Sequence, residues 1–98
     1  MGVLKKMYQA FLDSDSEKGI LNSLDTMLYI IWHNQTFKVK LDKISKYITK
    51  MSKYIENNKW TFFISDEYKD IFEDKIFFMF ERLDGFYKNG ELYKDMGI

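Results

Sequence analysis

Cysteine and proline are absent from the 98 residues, glycine occurs only five times, and the one arginine is Arg82. Without cysteine, neither a disulfide framework nor a thiolate metal site can form. Without proline or any long polar run, nothing marks a linker, so residues 1–98 read as a single small domain. No apolar stretch approaches the roughly 18 uninterrupted residues of a membrane-spanning helix. No basic start leads into an apolar run of the secretory kind either. A soluble, cytoplasmic protein is therefore expected, and the Asn34-Gln35-Thr36 sequon reads as incidental.

What the chain does contain is apolar and aromatic. Hydrophobic residues make up 46% of it and aromatic ones 18%, which is too rich for a disordered segment and enough for a small core. Fifteen basic residues balance fifteen acidic ones. The excess of Lys, Ile, Asn, Tyr and Phe has the pattern of AT-rich coding, so a row of lysines is weaker evidence of purpose here than usual.

Four stretches carry a helical period. Val3, Leu4, Met7, Tyr8 and Phe11 share one face of the first. Ser14 followed by Glu17 fits a capping box for a second helix, along which Ile20, Leu21, Leu24, Met27, Leu28 and Ile31 recur at threes and fours. Asp42 can cap a third, with a seam of Leu41, Ile44, Ile48, Met51 and Ile55. Ser65, Asp66 and Glu67 open a fourth, over about 66–84, expected to bury Tyr68, Ile71, Phe72, Ile76, Met79, Phe80 and Leu83. Gly85 suits its C-terminal cap.

The alternation Phe37, Val39, Leu41 and the run at 60–64 read as short strands or packed connectors. The Asn89-Gly90 pair suggests a hairpin over 86–93. The expected fold is thus mostly α, a compact four-helix domain with at most short strands. A small α+β fold pairing 37–41 with 60–64 is the alternative.

Charge is unevenly placed along this pattern. From Phe37 to Trp60 there are seven lysines against Asp42 and Glu56. Lys43, Lys46, Lys50 and Lys53 form a stripe opposite the apolar seam, with Tyr47 and Tyr54 at its edge. Lysines on one face can neutralise phosphates and tyrosines can stack on bases, so the stripe is a candidate nucleic-acid grip. The neutral whole chain and the scarcity of arginine, which supplies bidentate base and phosphate contacts, argue for a solvated face instead.

From Thr61 onward nine acidic residues face five basic ones. Asp66, Glu67, Asp70, Glu73, Asp74, Glu81 and Asp84 fall on one side of the fourth helix, with Phe77 in their midst. An aromatic ringed by charge is the form a binding hot spot takes, so Glu73, Asp74, Phe77 and Glu81 are the candidate contact residues. Self-contact between two copies is the other reading of that face. Lys75 and Arg82 point into the apolar arc, where long basic chains usually snorkel to the rim.

No enzyme signature emerges. Asp13, Asp15 and Glu17 have the first spacings of a calcium loop, but Lys18 stands where the turn glycine belongs and Leu24 where the bidentate Glu belongs. His33 is the only histidine and fits a helix C-terminus, with no second imidazole or thiolate for metal or acid–base work. No cofactor is expected.

In size and helical pattern the chain resembles small intracellular proteins such as bacteriocin immunity proteins and phage-encoded inhibitors. This is a likeness of class, with no shared motif. The expected function is a non-enzymatic protein-binding module acting stoichiometrically, of a phage- or plasmid-type accessory kind (inhibitor, immunity or anti-defence). A weak RNA- or DNA-binding protein using the lysine and tyrosine face is the alternative.

Overall fold

In a computed structural model, which describes residues 2–88, the chain is mostly α. It forms α1 (Val3–Leu12), α2 (Glu17–Trp32), the single turn α3 (Asn34–Phe37), α4 (Leu41–Asn57) and α5 (Asp66–Lys88). The helical period explains which side of each turns inward. Leu4, Met7 and Phe11 of α1 are buried, as are Ile20, Leu24, Met27, Ile30 and Ile31 of α2 and the whole Leu41–Ile55 seam of α4. Both α1 and α5 pack on α2 and on α4, so the four long helices close a ring in the order α1, α2, α5, α4. A single continuous apolar core fills it.

Local chemistry sets the ends, in places differently from the sequence reading. The N-cap of α2 is Ser16, not Ser14, because its Oγ accepts from Gly19 N at 3.0 Å. Ser14 instead donates its hydroxyl to Ala10 O at 3.0 Å. Asp42 lies inside the first turn of α4, whose N-cap is Lys40, and its Oδ1 accepts from Lys43 N at 2.9 Å. Ser65 does serve α5, its Oγ accepting from Tyr68 N at 3.3 Å. A second tie reaches across the fold, where Glu17 Oε2 accepts from Ser65 N at 2.7 Å. This clamps the start of α5 to the start of α2.

Gly85 does not end α5, which runs on through it to Lys88. The expected hairpin over 86–93 is overturned at 86–88, which are helical; its remainder lies outside the described residues.

The described residues contain no strand. At 37–41 the chain leaves α3 through a left-handed Lys38 (φ 55°, ψ 44°), and Val39 N donates back to Asn34 O at 3.1 Å. Those amides close the end of α3, and no ladder joins 37–41 to 60–64 among the described residues, so the α+β alternative is set aside. Residues 60–64 keep a strand-like alternation without a partner strand. Trp60 and Ile64 are buried and Phe62 half-buried, while Phe63 is 82% exposed.

Candidate protein-binding surface

The outer side of α5 is where the acidic residues gather. Glu73, Asp74, Phe77 and Glu81 are all exposed, with Phe77 at 64%. At 100° per residue, positions 73, 74 and 81 lie within roughly 60° of position 77, so three carboxylates frame one open ring. No Lys or Arg among the described residues lies within ion-pair distance of these three carboxylates. The face is thus apolar at its centre and negative at its rim.

Aromatic surface continues from there toward α2. Ile71, expected to be buried, is 38% exposed, and Phe78 is 50% exposed. The Phe78 ring packs on Trp32 at 5.4 Å between centroids. Leu28, Tyr29, Trp32 and His33 of α2 line a shallow hollow with Phe78. His33 is the C-cap of α2, and its ring lies 4.3 Å from that of Tyr29. No carboxylate shares that hollow among the described residues.

Sequence reasoning missed this extension because it placed Phe77 alone on the acidic side. The signal was present in the consecutive pair Phe77-Phe78. Phe78 lies 100° round the helix from Phe77, on the side that turns toward α2.

Beside the patch, two of the basic residues of α5, Lys75 and Arg82, hold the α2–α5 seam. Lys75 Nζ lies 2.7 Å from Asp25 Oδ1, a partner that the sequence did not identify. The Arg82 guanidinium sits 4.9 Å from the Trp32 ring centroid and 4.5 Å from that of Phe86. It holds Trp32 from one side while Phe78 stacks against it.

The lysine stripe is exposed as expected at Lys43, Lys46, Lys50 and Lys53. Its tyrosines are engaged elsewhere. Tyr47 packs on Tyr8 at 5.3 Å, and Tyr54 on Phe11 at 5.8 Å and on Trp60 at 4.7 Å. Lys50 Nζ hangs 5.7 Å from the Tyr47 ring centroid and 5.9 Å from that of Tyr8. These half-buried tyrosine rings form the aromatic seam that joins α1, α4 and the 60–64 connector, so stacking on the bases of a single strand would compete with that packing.

Asn34 of the sequon is fully buried, so in the folded chain its amide is closed to a glycosylating enzyme. No group of three or more His, Cys, Asp or Glu side chains suited to a metal ion occurs among the described residues. No family model matches the chain, and neither the curated proteins nor the solved structures compared with it include a match.

Proposed function

We propose that this chain is a non-catalytic protein-binding module that works stoichiometrically. The outer face of α5 seats on a partner surface that is basic around an apolar pocket. The observation that carries this reading is the open Phe77 ring framed by the exposed carboxylates of Glu73, Asp74 and Glu81. A half-exposed Phe78 on Trp32 widens the apolar part beyond a single side chain. Burying such a ring gives affinity, and the acidic rim selects and steers a basic partner. An accessory role of the inhibitor or immunity kind, in which occupancy alone blocks a partner's site, fits a small domain of this design.

The test is capture from native-host lysate with the wild-type chain beside Phe77→Ser, Glu73→Lys and a Lys46→Gln/Lys50→Gln/Lys53→Gln variant. The captured complex is then sized by light scattering. The reading expects a 1:1 complex that is lost with Phe77→Ser and Glu73→Lys and retained by the lysine variant. Equal capture by all the variants overturns it. So does a lysate that yields no protein partner while the purified chain stays an inert monomer, or RNA that co-purifies through the lysines and leaves as salt is raised.

A further inference from the structure

A second site, away from α5, lies where the N-terminal ends of α1 and α4 meet the turn out of α3. They enclose a hollow of about 400 Å³. Its apolar walls come from Val3, Phe37, Val39 and Tyr47, and Lys5, Lys38, Lys40 and Lys43 also line it. Among the described residues no carboxylate lines it. The nearest in sequence, Asp42, turns its Oδ1 to Lys43 N at 2.9 Å. The first turn of α1 has no acidic residue, and no side chain caps its amides, so its partial positive charge adds to that of the lysines.

We propose that this hollow binds a small phosphomonoester with an apolar or aromatic body. Four lysines lining one concavity with no carboxylate among them give it a positive potential, and a concave site focuses that field on whatever anion enters. A phosphate dianion offsets more of that charge than a carboxylate does, and lysine binds phosphate as a point charge without needing arginine's fork. The volume lies in the range of small-molecule sites, whose walls are mostly apolar with a few convergent polar groups. Inorganic phosphate alone leaves the Val3, Phe37 and Val39 walls uncovered, so the organic body contributes to binding.

The full chain is titrated with phenyl phosphate at about 0.15 M salt, where diffuse charge effects are screened, and backbone amide shifts are followed by NMR. Saturable shifts are expected at residues 3–5 and 38–40, with a midpoint at or below about 1 mM, and binding of inorganic phosphate at least about tenfold weaker. Lys38→Gly removes one charge at a left-handed position that glycine adopts without strain, so it keeps or raises the melting temperature. It weakens phenyl phosphate by about threefold, the scale of one exposed charge contact. Lys53→Gln, outside the hollow, leaves binding unchanged. Shifts that fail to saturate by about 10 mM overturn the site. So do inorganic phosphate binding as tightly as phenyl phosphate, and Lys53→Gln weakening binding as much as Lys38→Gly. None of these outcomes depends on the α5 face.

Discussion

Phe72 and Phe77 stand five positions apart on one helix and have opposite environments, fully buried and 64% exposed. Phe72→Ala therefore leaves a core cavity and should cost about 3–5 kcal/mol in chemical denaturation. Phe77→Ser, which removes apolar surface already in water, should change stability by less than about 0.5 kcal/mol while abolishing partner capture. That contrast separates a contact residue from a folding residue. The Lys75–Asp25 pair belongs to a third category. Its side chains are 29% and 52% exposed, so water screens it despite the 2.7 Å separation. A double-mutant cycle with Lys75→Met and Asp25→Asn should return a coupling of no more than about 1 kcal/mol.

Among the helices, α5 departs most from its sequence pattern, and Gly85 shows why. Glycine near the end of a periodic run ordinarily signals a left-handed cap. Here Leu83 and Phe86 are both buried, and the apolar face continues past the glycine, so the helix does too. A Cβ added at Gly85 meets no atom within 4 Å. Gly85→Ala should thus raise stability by about 0.5–1 kcal/mol, measured as a shift of the denaturation midpoint at constant slope. Were Gly85 the cap, the same change would be destabilising. At the other end of the chain Ser16→Ala should cost about 1 kcal/mol through the lost cap of α2, whereas Ser14→Ala should cost far less. Ser16 outranks Ser14 because a cap must sit three residues before the amide it accepts, and the helix begins at Glu17.

Across the folded chain, charge and aromatic packing divide the surface into two different sides. Lysines of α1 and α4 lie on one side and the carboxylates of α5 on another, although the formal total is zero. The tyrosines between the lysines belong to the fold's interior seam. Burial, with smaller contributions from neighbouring Tyr54 and Tyr47, pushes the Tyr8 hydroxyl above its usual value of 10.0. An acid whose folded value is raised holds its proton longer in the native state than in the unfolded chain. The stability it contributes is therefore complete below pH 10 and is lost as pH rises through the folded value. Tyr8→Phe should lessen the alkaline decline above about pH 10 relative to wild type, read from melting temperature against pH. An unchanged decline would show that Tyr8 does not carry it.

Most of the fold was legible along the chain. The three-and-four spacing of Ile20 to Ile31 and the Leu41–Ile55 seam carried it, because a helix converts sequence period directly into one buried face. So was the exposure of Glu73, Asp74, Phe77 and Glu81, since their angle on the helix is fixed by position alone. What lay beyond that reading depends on atoms far apart in the chain. Whether Phe37–Leu41 pairs as a strand depends on which acceptors its amides meet, and the nearest are the carbonyls of adjacent helix ends. The use of Tyr47 and Tyr54 as packing rather than stacking groups required α1 beside α4. The meeting of Phe78 with Trp32, and of four lysines around one hollow, required the ring of helices to close. Local periodicity assigns each residue to a side of its own helix, and only packing decides which side of which helix it will face.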